Sequence, residues 1–461
     1  MTKDLGAMDA VAAVEAMREG AVTPGAYAAA LAERAEAARD LNALQSFDPD
    51  RLAAEAVAAF GAHPDGALAG LPVVVKDNIN TTNYPTSGGT GALLGHVPAC
   101  DAGVVQAIRG AGGFAGAKSG MHELAFGITS NNAVTGAIHN PANPGLIPGG
   151  SSGGTAAAVA AGIFPAGLGT DTGGSCRIPA ALCGVIGFRP TTGRYDGGGI
   201  VPISHTRDTP GPLARSVRDI ALFDTVLSGA AATDLPERSL ADITLGVPRA
   251  VFFDNLDPVV ATATETALDT LARAGARLVE VAFDPIWPHN EAFGFPVVFY
   301  EVMRDLPAYL AEHAPEVSFD ALVRGIGSPD VIGAISSQLG DEAMPEAAYR
   351  AAMETHRPAM RQIYGRVFED NALDAIVFPT TPLPARPIGQ DETVELNGDE
   401  LPTFPTYIRN TDLGSNIGAP GISLPCHPAG SLPVGIEFDA RPGEDRALLA
   451  LARAAERALA R

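Results

Sequence analysis

The sequence predicts an α/β fold with a mainly parallel β-sheet. Short β-rich runs alternate with amphipathic or alanine-rich runs from residue 71 onward, and this alternation is typical of strand–helix–strand units. The 461 residues are 46% apolar, which is enough for a substantial buried core. Because the predicted strands use most of the chain, we expect one large domain.

Two helices are predicted to open the chain, over residues 7–17 and from Thr23 to residue 39. Thr23 followed by Pro24 is typical of a helix start, with a capping hydroxyl and a first-turn proline. The predicted strands that follow are LPVVVK, GGFAGA, a strand near Gly167, ITLGVP, RLVEVA, DAIVFP, GISLP and PVGIEF. Helices are predicted between them over residues 101–111, after Gly154, and over residues 261–273 and 446–460.

Between residues 287 and 366 the sequence changes to longer helical stretches with aromatic residues and methionines. We interpret this segment as a helical cover, packed mainly as ordinary core, that could also give a substrate an apolar wall. A proline- and glycine-rich loop at residues 382–400 is predicted to lie on the surface.

Composition excludes several classes of function. The net charge of −22 disfavours nucleic acid and anionic membranes as partners. No signal-peptide pattern is visible, and the longest apolar tract, TAAAVAAGIFPAGLG, is too short and interrupted to span a bilayer, so we expect a soluble cytoplasmic protein. Four scattered cysteines show no zinc-ligand spacing, and we expect neither a metal nor another cofactor.

Lys76 draws attention because lysine is rare in this chain. The 31 basic residues include only three lysines, and Lys76 ends the apolar run LPVVVK. Burial on an apolar strand lowers the pKa of a lysine, so that it can lose its proton near neutral pH, which an arginine cannot do. Lys76 is therefore a candidate general base.

Two serine-bearing glycine loops follow, GGSSGG with Ser151 and Ser152, and GTDTGGSCR with Ser175. GLGTDTG and GAGGFAG are each one residue off the dinucleotide-binding fingerprint, so nucleotide binding is disfavoured. GGSSGG could be a flexible linker, but the helix former TAAAVAAG follows it at once, which favours a loop that leads into a helix.

Together these residues indicate a serine hydrolase that does not use histidine. A serine hydroxyl needs a base within hydrogen-bond reach, and the tetrahedral intermediate needs N–H donors aimed at its oxyanion. The turn before Ser175 can direct successive backbone N–H groups to one point. The residues of this turn are Thr172, Gly173 and Gly174.

The chain resembles the amidase signature family over nearly its whole length. The resemblance rests on Lys76 in VKDN, on GGSSGG and on GTDTGGSCRIPAALCG. Further matching stretches are HELAFGITSNN, NPANPGLIPGGSSGG, GFRPTTGRY, ISHTRDTPGPLARSV and NTDLGSNIGAPGISLP. The last two are most similar to the branch of indoleacetamide and mandelamide hydrolases.

This resemblance implies a Ser-cisSer-Lys triad. By motif position, Ser175 is the nucleophile that forms an acyl-enzyme, Ser151 is the bridging serine after a cis peptide bond, and Lys76 is the terminal base. The implied oxyanion donors are the backbone N–H groups near Thr172, Gly173 and Gly174.

Other matched positions are expected to support the site. We expect Asp171 and Arg177 to form a structural ion pair, Ser152 to hydrogen-bond within its loop, and Asp208 to be structural. The segment expected to approach the substrate consists of Phe126, Gly127 and Ile128.

The implied fold is a large mixed, mainly parallel sheet with helices on both faces and a helical cover over the active site. We expect a single amidase domain over residues 1–461, with a catalytic core at residues 60–230 and 370–461 and the cover at 285–370. Relatives often form dimers, and by analogy we expect a homodimer.

The expected reaction is hydrolysis of a carboxylic amide to an acid and ammonia, with small aryl or arylacetamide-type substrates. One alternative is the amidase subunit of a glutamine-dependent tRNA amidotransferase, which typically has glutamine where Ile178 stands. Another is hydrolysis of hydrazide, carbamate or anilide bonds by the same triad. A catalytically inactive scaffold is disfavoured because all three triad positions are intact.

Overall fold

A sheet of eleven strands forms the centre of the molecule in the computed structural model, which describes residues 5–231, 234–341 and 343–460. In chain order the strands are β1 (Leu44–Ser46), β2 (Pro72–Lys76), β3 (Phe114–Ser119), β4 (Asn131–Asn132), β5 (Gly136–Ala137), β6 (Ala166–Asp171), β7 (Ile186–Arg189), β8 (Thr209–Ala214), β9 (Thr244–Val247), β10 (Arg277–Glu280), β11 (Ala375–Pro379), β12 (Thr393–Leu396), β13 (Asp399–Pro402), β14 (Gly421–Pro425) and β15 (Gly435–Asp439). The order in the central sheet is β1-β3-β2-β6-β8-β7-β14-β15-β11-β9-β10, while β4 pairs with β5 and β12 with β13.

Helices surround this sheet on both faces. They are α1 (Ala10–Arg18), α2 (Pro24–Ala37), α3 (Pro49–Ala62), α4 (Gly103–Gly110), α5 (Gly153–Ala160), α6 (Arg177–Cys183), α7 (Val217–Ser228), α8 (Arg249–Phe252), α9 (Pro258–Arg273), α10 (Trp287–Glu291), α11 (Gly294–His313), α12 (Phe319–Gly325), α13 (Pro329–Ser336), α14 (Glu346–Ala351), α15 (Arg357–Asn371), α16 (Thr403–Ile408), α17 (Asp412–Ile417) and α18 (Asp445–Leu459). The hydroxyl of Thr23 caps α2 by accepting a hydrogen bond from Ala26 N at 3.2 Å.

The central sheet is mixed. β3, β2 and β6 are parallel to one another, as are β11, β9 and β10. The five pairs between β6 and β11 are antiparallel. Two of them, β7–β8 and β14–β15, join strands that follow one another in the chain without a crossover helix. The predicted large mixed sheet covered by helices is confirmed, and its parallel pairs lie on the two flanks.

Close packing of α5 on the sheet positions the first serine loop. β2 and β6 are buried at every residue, as expected for strands covered on both faces. A Cβ at Gly167 of β6 would lie 2.4 Å from the side chain of Thr155 in α5, so this glycine allows the close approach. Because α5 begins at Gly153, the loop with Ser151 and Ser152 is held against β6.

The helices from α10 to α15 form the predicted cover. Val298 of α11 packs against an apolar cluster of Met121, Ala125 and Ile203, which belong to loops beside the sheet. Within the described ranges, no helix combines the length and apolar character needed to cross a bilayer.

Two segments differ from the sequence-based expectation. β8 was not predicted, because Pro210 and Pro212 lack the N–H groups that an interior strand normally donates. The segment at 382–400 was predicted to be a surface loop, but Leu383 and Val394 are fully buried, and the segment contributes most of the β12–β13 hairpin. The alternation of Val394 with Glu395 is typical of a half-buried strand, and the prolines and glycines nearby obscured it.

Candidate active site

Lys76 is the last residue of β2, and its side chain is fully buried. The ammonium Nζ donates hydrogen bonds to Ser151 Oγ at 2.7 Å and to Thr170 Oγ1 at 2.8 Å. Thr170 Oγ1 also accepts a hydrogen bond from Asn78 Nδ2 at 3.1 Å. The structure thus joins Lys76 to a serine of the first glycine loop and to a threonine of β6.

Burial lowers the pKa of Lys76 to about 7, although the carboxylates of Asp171 and Asp208 favour its charged form. A lysine with this pKa is neutral in a large fraction of molecules near neutral pH. Its nitrogen then has a lone pair that can accept a proton.

The first serine loop is tied to the second by its backbone. The Gly150–Ser151 peptide bond is cis, and the carbonyl of Ser151 accepts a hydrogen bond from His122 N at 3.2 Å. Ser152 N donates to the carbonyl of Ser175 at 3.2 Å. The two serine loops therefore lie side by side.

The hydroxyl of Ser152 bonds outside its own loop. Its Oγ donates to the carbonyl of Thr170 at 3.1 Å and accepts from Thr170 N at 3.3 Å. The expectation of a hydrogen bond within the loop was therefore wrong. The reason is that α5 presses this loop onto β6, where the backbone of Thr170 offers both a donor and an acceptor.

The second serine loop follows β6, and Ser175 is 8% exposed. Gly174 has φ +144°, and a Cβ there would lie 2.3 Å from Thr411 Oγ1, so both conformation and space require glycine. Thr411 Oγ1 donates to the carbonyl of Gly173 at 2.5 Å. In the described part of the chain no acceptor is found for the backbone N–H groups of Gly173 and Gly174.

Thr172 is held from the other side of the loop. Its Oγ1 donates to Asp208 Oδ1 at 2.6 Å, and the other oxygen of Asp208 accepts from Ile203 N at 2.8 Å and Ser204 N at 2.9 Å. Burial raises the pKa of Asp208. Asp208 thus links the second serine loop to the segment at 203–208.

A buried charge cluster lies beneath the second serine loop. Arg177 donates to Asp171 Oδ1 at 3.1 Å and to Glu437 Oε1 at 2.5 Å, while Arg189 donates to Asp171 Oδ1 at 3.0 Å. Burial alone raises the pKa of Asp171, but the two guanidinium groups outweigh burial and hold that pKa well below its usual range. Asp171 also accepts from Cys176 N at 3.0 Å, which orients the backbone next to Ser175.

A cavity of about 240 Å³ lies beside these residues. Its lining residues are Asn78, Ala125, Thr170, Thr172, Gly197, Ile200, Val201, Pro202, Ile203, His205, Asp208, Thr209 and Pro210. The cavity therefore has a mostly apolar wall and a polar end at Thr170 and Thr172.

The segment expected to approach the substrate follows directly after a residue that lines this cavity. Ala125 lines the cavity, whereas Phe126, Gly127 and Ile128 are not among the lining residues. Ile128 packs in an apolar cluster with Ile147, and a Cβ at Gly127 would lie 2.2 Å from the imidazole of His122. Gly127 is thus a position of close packing.

Sequence reasoning missed three side chains of this site: Thr170, Asn78 and Thr411. Asn78 could have been found, because it is a polar residue only two positions after Lys76 in VKDN. A turn closed by the hydrogen bond from Ile79 N to the carbonyl of Lys76 keeps it next to that lysine. Thr170 meets Lys76 through the pairing of β2 with β6, and Thr411 reaches Gly173 from a distant helix boundary. No local pattern reveals such contacts.

Comparison with known proteins gives the family. The sequence profile of the family described as Amidase matches residues 26–449. An indoleacetamide hydrolase of Rhizobium radiobacter is 46% identical over 432 residues, covering 93% of this chain and 92% of that protein. A mandelamide hydrolase of Pseudomonas putida is 41% identical over 412 residues, covering 86% and 79%.

Solved structures share the same fold. A crystal structure of an amidase has a TM-score of 0.86 at 36% identity, covering 98% of this chain and 99% of that one. The native peptide amidase from Stenotrophomonas maltophilia has a TM-score of 0.81 at 28% identity, covering 98% and 96%. The chain therefore belongs to the amidase family, is an amidase, and is similar to indoleacetamide and mandelamide hydrolases over most of its length.

Proposed function

We propose that this amidase hydrolyses a small aryl or arylacetamide-type amide through an acyl-enzyme on Ser175, with Ser151 as the proton relay and Lys76 as the base. The observation that carries the proposal is the 2.7 Å hydrogen bond between Lys76 Nζ and Ser151 Oγ, made by a fully buried amine with a pKa of about 7. A neutral amine at this distance can accept the serine proton.

Thr170 orients this base. Its Oγ1 accepts from Lys76 Nζ and from Asn78 Nδ2, so one N–H of the neutral amine is directed to Thr170. The lone pair of the amine is then free for Ser151. Asn78 and Thr170 act as positioning residues in this proposal.

The reaction proceeds in two halves. Ser175 Oγ attacks the amide carbonyl while its proton passes to Ser151 Oγ and the proton of Ser151 passes to Lys76. The relay reverses as the tetrahedral intermediate collapses, so the leaving nitrogen gains a proton and departs as ammonia. Water then attacks the ester on Ser175 in the same way, and the carboxylic acid leaves.

The backbone near Thr172, Gly173 and Gly174 is proposed to bind the oxyanion. The N–H groups of Gly173 and Gly174, which have no acceptor among the described residues, are available as donors, and Thr411 fixes the peptide between them through the carbonyl of Gly173. Each such donor contributes roughly 10²–10³ to the rate in other hydrolases.

The cavity supports a small substrate with an apolar body. Its volume of about 240 Å³ is below the roughly 300–1,000 Å³ of pockets for drug-sized ligands. Its apolar wall includes Ala125, Val201 and Ile203. The similar proteins named indoleacetamide hydrolase and mandelamide hydrolase also support an aromatic acyl group in the substrate.

We also propose that the whole chain works as one amidase domain. β14 and β15 from residues 421–439 pair between β7 and β11, so the proposed core segments at 60–230 and 370–461 share one sheet. The cover at 285–370 packs on this core through α11.

Active-site labelling tests the role of Ser175. A fluorophosphonate probe is expected to add its mass to a peptide that contains Ser175, and Ser175→Ala is expected to lose both labelling and turnover while the circular dichroism spectrum is unchanged. Ser152→Ala is the control, because that hydroxyl bonds to the backbone of Thr170 and not to Lys76, so its loss should leave the label on Ser175. Label found only on Ser151 or Ser152 would reverse the assignment.

An amide panel tests the substrate class. Ammonia release should give kcat/KM at least tenfold higher for indole-3-acetamide or mandelamide than for acetamide, because the apolar wall adds binding energy only for an aromatic body. Equal values for acetamide and the aromatic amides would contradict the proposed substrate class without affecting the triad.

A further inference from the structure

A second group of potential ligand atoms lies outside the triad, where the cavity meets the cover. His205 borders the cavity, and Glu301 and Asp305 lie one turn apart on α11. One ligand atom from each of these side chains lies within 4.8 Å of the others. His205 Nδ1 is 2.9 Å from Asp305 Oδ2, and His205 Nε2 is 3.6 Å from Glu301 Oε1.

We propose that His205, Glu301 and Asp305 form a binding site for a first-row divalent cation such as Zn²⁺. One imidazole and two carboxylates are a ligand set that Zn²⁺ accepts, and three protein ligands leave a coordination position for water. The cation is not part of the proposed hydrolytic mechanism, which uses none of these three side chains.

The carboxylates are held in place by neighbouring donors. Tyr349 OH donates to Glu301 Oε1 at 3.0 Å, and Thr206 Oγ1 donates to Glu301 Oε2 at 3.0 Å. His205 N donates to Asp305 Oδ2 at 2.9 Å. Such hydrogen bonds orient metal ligands and reduce the entropy lost when an ion binds.

Charge also favours a cation here. Glu301 and Asp305 place two carboxylates beside a single imidazole. The nearby arginines Arg207 and Arg357 hydrogen-bond to other groups. Arg207 donates to Asp412 Oδ1 at 2.6 Å, and Arg357 donates to the carbonyl of Thr206 at 2.9 Å. A divalent ion would balance the two carboxylates.

An ion can reach this site from solvent. The side chain of His205 is 60% exposed and that of Asp305 is 17% exposed, whereas Glu301 is buried. Zn²⁺ lies about 2.0–2.2 Å from nitrogen and oxygen ligands. The three ligand atoms lie within 4.8 Å of one another, so binding requires only a small movement of the exposed His205 ring toward the two carboxylates.

A bound cation would join the cavity rim to the cover. Asp208, three residues after His205, lines the cavity and binds Thr172 beside Ser175. We therefore expect Zn²⁺ to inhibit turnover reversibly. This second consequence rests on the proposed function, whereas the binding itself does not.

Isothermal titration of the full-length, EDTA-treated protein with ZnCl₂ tests the site. We expect one Zn²⁺ per chain, with at least tenfold weaker binding in His205→Ala and in Asp305→Asn. His96→Ala is the matched control, since among the described residues His96 pairs with one carboxylate, that of Glu316 at 2.8 Å. This variant should bind Zn²⁺ like the wild type. Wild-type affinity in both site variants, or no stoichiometric binding to the wild type, would overturn the proposal.

Inhibition provides a separate measurement. Zn²⁺ is expected to lower the rate of the wild type and of His96→Ala, with recovery on addition of EDTA. Each variant is compared with its own zinc-free rate, and His205→Ala should need at least tenfold more Zn²⁺ for half inhibition. If titration detects the site but the rate is insensitive to Zn²⁺, the inhibitory consequence is wrong and the binding site stands.

Discussion

Two buried lysines in neighbouring strands have different environments. Lys118 donates to Ile79 O and Thr86 Oγ1, both at 2.7 Å, and lies 3.6 Å from Asp77. Lys76 donates to the hydroxyls of Ser151 and Thr170 instead. Burial lowers the pKa of Lys118 to about 8 and that of Lys76 to about 7. Of the two, only Lys76 has a serine hydroxyl as a proton donor within reach.

The first prediction concerns the pH dependence of turnover. If neutral Lys76 is the base, kcat/KM should rise as the pH increases through about 7 and then level off, because the neutral fraction grows above the pKa. Lys76→Ala should lose several orders of magnitude in kcat. Lys76→Arg should not rescue it, since a guanidinium keeps its proton. Steady-state kinetics between pH 5 and 9 measure both effects.

Lys118→Arg is the control for this experiment. It preserves the charge beside Asp77, so its kcat/KM profile should keep the wild-type midpoint even if the protein is less stable. Substantial activity in Lys76→Arg would show that Lys76 acts as a fixed cation, and the general-base role would be lost.

The second prediction concerns Thr170. Thr170→Val removes the oxygen that accepts from Lys76, so the charged amine loses a partner and its pKa should fall below the wild-type value. The midpoint of the pH profile should move to lower pH, while kcat falls roughly 10- to 100-fold because the amine is misplaced. Thr170→Ser, which keeps the hydroxyl, should restore both. An unchanged midpoint in Thr170→Val would exclude this positioning role.

The proposed triad could be predicted from individual residues, whereas its surroundings could not. The rarity of lysine and the two glycine-rich loops are enough to identify Lys76, the serines of GGSSGG and Ser175 as candidates, and the family resemblance selects Ser151 between Ser151 and Ser152. Thr170 could not be identified, because a threonine within a strand is common and its role depends on which strand lies beside it. Only the pairing of β2 with β6 in the folded sheet shows that Thr170 lies beside Lys76.

At the scale of elements, the charge cluster below the second serine loop gives a third prediction. Asp171→Asn leaves Arg189 without its buried carboxylate and weakens the support of Arg177, so the free energy of unfolding should fall by about 3–5 kcal/mol. Activity should fall as well, because Asp171 also holds Cys176 N beside Ser175, the proposed nucleophile. Urea unfolding and steady-state kinetics measure the two effects.

The matched control for Asp171→Asn is an exposed ion pair. Glu346 and Arg350 lie 2.7 Å apart, one turn from each other on α14, and solvent screens their attraction. Glu346→Gln should leave the urea midpoint within experimental error. If Asp171→Asn also left the urea midpoint unchanged, the charge cluster would not stabilise the second serine loop.

Most elements could be predicted where the hydrophobic pattern was continuous. β2, β11 and β14 lie within the predicted runs, and β3 and β15 overlap theirs but end two residues and one residue later. The helices α9 and α18 begin within three residues of their predicted starts. β8 could not be predicted because its two prolines are typical of an edge or a loop. Its neighbour β7 pairs only with the last two residues of β8, so the interior of the sheet tolerates prolines earlier in the strand.

At the scale of the whole molecule, the fourth prediction concerns metal removal. The proposed relay uses only serine and lysine side chains and backbone donors, so exhaustive dialysis against EDTA should leave kcat and KM unchanged in metal-free buffer. Loss of activity on dialysis, with recovery on addition of Zn²⁺, would contradict this mechanism. Buffer that contains trace Zn²⁺ should instead give a higher rate after EDTA, as expected from an inhibitory site.

The order of strands has a consequence for the timing of biosynthesis. Arg177 and both serine loops leave the ribosome early, but their partner Glu437 and the strands β14 and β15 are among the last residues to be made. Until then β7 has an unpaired edge, which can pair with other nascent chains. Closing contacts so distant in sequence also slows folding. The proposed catalytic centre is therefore completed only near the end of translation, and a nascent chain stalled before residue 437 would carry all three residues of the proposed triad without a supported site.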